Sequence, residues 1–151
     1  MSISIALHLL AAVIWVGGMI FAHTSLRPAA AQVLEPPLRL ELWVQVFGRF
    51  FVLVWISIAV VISTGYWMLF SYFGGFAGAG LHIHIMHGGG ILMLMVYLHV
   101  FFAPYRRLKQ AVIIQDYPLA GAQLNQIRKM VGINILLGLL VIVVGSAGRY
   151  L

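Results

Sequence analysis

Charged residues divide this chain into long apolar blocks. No Asp, Glu, Lys or Arg occurs in residues 1–26, in residues 50–105 or in residues 130–148. Blocks of this length suit membrane-crossing helices, because ~20 apolar residues in a helix span a hydrocarbon core of ~30 Å. The middle block is too long for one crossing, and SYFGGFAGAG at 71–80 supplies a glycine-rich break that makes it two. The pattern predicts helices near residues 3–24, 47–70, 82–103 and 129–148. Together they imply an all-α fold, a transmembrane up-down-up-down four-helix bundle forming one integral membrane domain over residues 1–151. In the first connection a Pro-Pro stop precedes a short amphipathic lead into the second helix. In the third, Asp116 is placed as an N-cap with Pro118 in the first turn, so the fourth helix begins well before its apolar block.

Composition agrees: 63% of the 151 residues are hydrophobic and 8% charged, with a mean hydropathy of +1.05. The partner is therefore a lipid bilayer. The first apolar block has no Lys or Arg before it and is longer than the core of a secretion signal, so it is expected to remain as a mature helix. With no cysteine, disulfides, thiolate clusters and cysteine nucleophiles are excluded together. The three acidic residues, Glu35, Glu41 and Asp116, all lie in connections, and no carboxylate pair, Ser/His/Asp set or phosphate-binding loop is present.

A net charge of +6 raises the question of nucleic acid, and its placement answers against it. Arg27, Arg39 and Arg49 flank the first connection; Arg106, Arg107, Lys109, Arg128 and Lys129 flank the third; the second has none, and Arg149 stands alone near the C-terminus. By the positive-inside rule the first and third connections are cytoplasmic. Both termini and the 71–81 turn then lie on the outer side of the membrane.

Aligning His8 with His84 pairs HLLAAVIWVGGMIFAH with HIMHGGGILMLMVYLH, and at the same offset of 76 Met19 meets Met95, His23 meets His99 and Pro28 meets Pro104. Arg49 and Gly65 meet Lys129 and Gly145 at an offset of 80. This suggests a parallel two-hairpin repeat about an axis along the membrane normal, against chance likeness of two apolar helices. The first and third helices would then run in the same direction, with His8 and His84 near the outer surface and His23 and His99 near the inner. Fifteen positions separate the histidines of each helix, which is about 60° of rotation and ~22 Å of rise. Between them lie Ala12, Trp15 and Met19 on the first helix and Gly88, Ile91 and Met95 on the third. Small residues beside a buried imidazole suit a flat macrocycle whose iron takes an axial nitrogen, held between diagonally opposed helices. An ionisable group in the membrane interior is costly unless it is paired or bound. His8 with His84 are thus expected to hold an outer haem, and His23 with His99 an inner one; a single haem is the smaller count. His87 is an alternative upper ligand, His82 an interfacial residue, and His23 can instead reach the interface beside Arg27. Asn134 can orient an imidazole near the depth of His99, or serve helix packing with Gly138 and Gly145. Arg149 outside, and Arg27, Arg49 or Arg106 inside, can pair with propionates.

The segments ALHLLAAVIWVGGMIFAHTSLRPAA, FGRFF, HIHIMHGGG to LHVFFAPYRRLKQAV, and NQIRKMVGINILLGLL resemble the CopD-like family of small bacterial four-helix membrane proteins, named after copper resistance protein D. His8, Trp15, Gly17, Gly18, Tyr97 and His99 are also similar to the HemJ-type protoporphyrinogen oxidases, a group whose likeness implies b-type haem. That group has a lysine just after the histidine that starts its third helix; here Met86 or His87 stands in that region. The leading expectation is a haem b electron-transfer cytochrome, a membrane oxidoreductase whose donor and acceptor, quinone among the candidates, are not specified, with homo-oligomer formation open. The alternatives are a copper-handling membrane transporter using the same histidines with Met19 and Met95, since thioether and imidazole suit Cu(I), and a porphyrinogen-oxidising enzyme.

Overall fold

A computed structural model of the chain describes residues 2–148, and among these there is no strand. Five helices build four crossings. Helix α1 spans Ser2–Val33, α2 Pro36–Tyr72, α3 Leu81–Phe102, α4 Pro104–Ile113 and α5 Tyr117–Ala147. Proline opens α2, α4 and α5, where its fixed φ suits a helical start and its missing N–H is not needed. The α5 start is as expected: the Asp116 carboxylate accepts a hydrogen bond from the Leu119 N–H at 3.0 Å. The glycine-rich break is real too, and its first two glycines, Gly74 at φ 67° and Gly75 at φ 87°, occupy backbone conformations that side chains disfavour.

The four crossings agree with the sequence pattern, and the last helix starts early as expected, but α1 and α2 are longer than it predicts. Beyond residue 24, α1 continues through a π-turn at Ala22–Leu26, in which the Arg27 N–H bonds the Ala22 carbonyl, to Val33. Helix α2 begins at Pro36 and α5 at Tyr117, each well before its apolar block. Hydropathy marks where a chain crosses lipid, whereas a helix persists wherever it still buries one face. The 32 residues of α1 rise ~48 Å at ~1.5 Å each, more than the ~30 Å of a hydrocarbon core. The excess carries Ala30, and the matching excess of α2 carries Leu40 and Trp43, all buried.

Helix α1 packs closely on α2, and α3 on α5, with α4 folded back along α5. Tight pairs of this kind are the two hairpins expected of an up-down-up-down bundle. Helices α1 and α3 lie in different pairs and meet through an edge-on contact of Trp15 with Tyr97, centroids 6.2 Å apart. An aromatic column of Trp43, Phe47 and Phe51 on α2 joins Tyr97 and Phe101 of α3 and Tyr105 of α4. The Tyr97 hydroxyl fixes the column by donating to the Phe51 carbonyl at 3.2 Å. Burial is deepest at the basic end, where Leu108, Ala111, Ala120 and Ile127 are wholly enclosed. Around the rest of the bundle large apolar side chains face outward, as lipid contact requires.

Candidate functional site

His8 faces into the bundle. It lies seven residues before Trp15, nearly two full turns and so on the same face, and that face buries Trp15, Val16 and Met19. Its Nδ1 is 2.9 Å from the Thr64 hydroxyl of α2. Thr64 spends its one proton on the Val60 carbonyl, 2.6 Å away. His8 must therefore donate through Nδ1–H, which leaves Nε2 with its lone pair free for a further bond. Gly65 makes room for the ring: a Cβ there would stand 3.2 Å from His8 Cε1. Thr64 is absent from the sequence reading, because a threonine inside an apolar helix ordinarily bonds only its own backbone.

His84 does not face His8. The buried residues of α3 are Met93, Tyr97 and Val100, and His84 lies nine residues before Met93, half a turn out of phase. His84, Gly88, Ile91 and Met95, expected to line the interior, are all on the outer face instead; Met95 is 61% exposed. The physical cause is the aromatic column: Tyr97 inserts between Phe51, Trp15 and Trp55, and its bulk sets the rotation of the whole helix. His84 stacks beside Phe76 at 6.0 Å. The histidine of this region that turns toward a neighbouring helix is His87, whose Nε2 lies 2.9 Å from the Tyr66 hydroxyl. His82 packs against Gly80 and Gly148, at the helix ends.

The inner pair is not formed either. His23 sits in the π-turn, where its ring approaches Gly132 of α5, while His99 is exposed near the end of α3. Asn134, expected to orient His99, is buried elsewhere: it is 3% exposed and donates through Nδ2 to the Met19 sulfur at 3.8 Å. Its Oδ1 has no partner. Trp15, Met19, Tyr97, Met130 and Asn134 share the lining of a narrow void of about 30 Å³. One turn further along α5, Val16 and the Met93 methyl pack over Gly138. Arg149 lies outside the described residues.

This arrangement does not fit a haem carried by His8 with His84 or by His23 with His99. The rings of each pair point to different surroundings, and a void of about 30 Å³ is far below the ~300–1,000 Å³ of organic ligand pockets. Its volume exceeds the ~10–15 Å³ that one water or small ion needs, but its walls are apolar. Among the described residues no cluster of three His, Asp or Glu side chains could hold a metal. Around this void stand the thioether side chains of Met19 and Met130, soft groups that suit monovalent copper, and the Asn134 amide, whose oxygen is a harder donor.

No curated protein and no solved structure matches the chain. Residues 44–147, more than half of it and running from within α2 to the end of α5, match the family model described as copper resistance protein D. With four helices long and apolar enough to cross a membrane and that match across three of them, the chain is a multi-pass membrane protein belonging to the CopD family.

Proposed function

We propose that this protein handles copper, binding Cu(I) as cargo inside the bundle and passing it between the two membrane surfaces. The observation that carries the reading is the Asn134 Oδ1, buried and without a partner on a side chain whose amide nitrogen meets the Met19 sulfur. An orphaned buried carbonyl oxygen costs about 1–3 kcal/mol. A polar group retained at that cost is accounted for when something else binds it.

The remaining groups fall into a sequence along the bundle. His8, with Nε2 free, receives the ion at the end that carries the 71–80 turn. Eleven residues further along the same face, Met19 with Asn134 and Met130 holds it at mid-depth. His23, on the π-turn four residues beyond Met19, releases it at the basic end. By the positive-inside rule that end is cytoplasmic, so the path runs inward across a bacterial inner membrane with both termini periplasmic. Weak, exchangeable ligands suit transit better than a closed cage, because a carrier must bind and also let go. The family match, whose name refers to copper resistance, supports the same reading.

The test is a Cu(I) titration of detergent-purified protein against a competing chelator, with an absorption spectrum taken on the same sample. A colourless protein binding one Cu(I), weakened at least tenfold in Met19→Leu and in Asn134→Leu, is the expected result. A Soret band that shifts on reduction, together with copper binding indifferent to both substitutions, would overturn it in favour of a haem protein.

A further inference from the structure

The basic end of the bundle gathers positive charge that the copper reading does not use. Arg27 comes from α1 just after the π-turn, Arg39 from the first turns of α2 and Arg128 from α5. Arg27 and Arg39 are near enough for their charges to act on Arg128. None of the three is ion-paired with a carboxylate among the described residues. Arg39 touches the Ala31 carbonyl at 3.5 Å, a long contact for one arm of its fork.

Two buried donors stand unanswered at the same place. The Arg128 guanidinium lies over the Trp43 ring, 6.0 Å from its centre. Arg128 Nε–H is buried without a partner, and so is the Trp43 Nε1–H, on a side chain only 3% exposed. Buried N–H groups rarely go unpaired, and beside three guanidinium groups an acceptor that carries negative charge is the best match. Gln123 Oε1 is also unpartnered, but it points away, about 140° round the helix from Arg128. Planar guanidinium forks bind tetrahedral oxyanions through parallel N–H bonds.

We propose that Arg27, Arg39, Arg128 and the Trp43 N–H form a binding site for a phosphate oxyanion. Its depth, at the end of the crossing helices where headgroups lie, makes the phosphate of an anionic lipid one source and free inorganic phosphate the other. The site is separate from Met19 and Asn134, so it stands or falls apart from the copper reading.

The full chain, purified in detergent, is followed by thermal unfolding with added phosphatidylglycerol, phosphatidylcholine or inorganic phosphate. Stabilisation by phosphatidylglycerol and not by the other two assigns the site to a lipid headgroup; equal stabilisation by inorganic phosphate assigns it to the free anion. Arg39→Gln and Trp43→Phe, which keep the helix and the ring, are expected to weaken the response about tenfold each, as loss of one charge-assisted or buried hydrogen bond implies. Arg106→Gln removes the same charge at the same end, away from the cluster and over Phe102, and should respond like the native chain. No stabilisation by either phosphate source, a full response in Trp43→Phe, or an equal loss in Arg106→Gln would overturn the proposal.

Discussion

Helices α1 and α3 carry the same ladder and use it oppositely. Each has two histidines fifteen positions apart, with matching methionines at Met19 and Met95. On α1 the positions between the histidines turn inward, and Trp15 and Met19 are 5% and 4% exposed. On α3 their counterparts Ile91 and Met95 are 44% and 61% exposed. Repeat spacing fixes the depth of a residue in the membrane, but rotation about the helix axis is fixed by the bulkiest side chain that must be buried. On α1 that side chain, Trp15, falls on the histidine face; on α3 it is Tyr97, thirteen residues after His84 and about 140° away from it. The hairpin partners show the same divergence: Gly65 of α2 receives His8, whereas Gly145 of α5 receives Met86.

The largest way to break this comparison is to remove the anchor. Tyr97→Ala deletes a buried ring packed on Trp15, Phe51 and Trp55 together with its bond to the Phe51 carbonyl. A loss of ~3–5 kcal/mol is expected from thermal or chemical unfolding in detergent. In the same variant a cysteine placed at His84 should lose its fixed exposure to lipid-soluble thiol reagents. Next come the glycines. Gly138→Ala drives a methyl to 2.8 Å from a Val16 methyl and 3.2 Å from the Met93 methyl, and should cost ~1–3 kcal/mol. Gly88→Ala meets nothing within 4 Å, and should instead stabilise by up to ~1 kcal/mol through helix propensity.

The histidines themselves give a smaller contrast. His8→Ala removes the bond to Thr64 and should cost ~1 kcal/mol and weaken Cu(I) uptake. His84→Ala, on the outer face, should stay within ~0.5 kcal/mol of the native chain and bind copper as before. Equal effects from the two substitutions would mean that α3 is rotated inward after all. The smallest change expected to be measurable is Asp116→Ala, ~1 kcal/mol or less from a lost cap, with copper binding untouched.

The number of crossings, their order, the glycine break and the Asp116–Pro118 start of α5 were all legible in the sequence, because each rests on a local rule about charge, length or backbone. The extension of α1 at Arg27–Val33 was not, and residues 36–46 of α2 showed only as a short amphipathic lead, since charged residues there hide faces that bury Ala30, Leu40 and Trp43. The outward turn of His84 and Gly88 was hidden as well. An apolar helix in lipid is hydrophobic all round, so its periodicity carries no sign of which face is inside. His8 and Met19 could be picked out by residue type, but Thr64 and the inward aim of Asn134 needed coordinates, because both depend on what a different helix presents. The cluster of Arg27, Arg39 and Arg128 reads in one dimension as three scattered topology signals and becomes a site only when three helices meet.

Burial in this bundle is graded from one end to the other. The four wholly enclosed side chains Leu108, Ala111, Ala120 and Ile127 belong to the basic end, while His8, Tyr66 and His87 sit where the helices are wrapped least. Amide exchange should follow that gradient, slow around Ile127 and fast near Thr64. Held firmly at one end, the helices are joined at the other by less buried contacts, among them the His8–Thr64 and Tyr66–His87 bonds. On the copper path proposed above, this less enclosed end is where the ion enters.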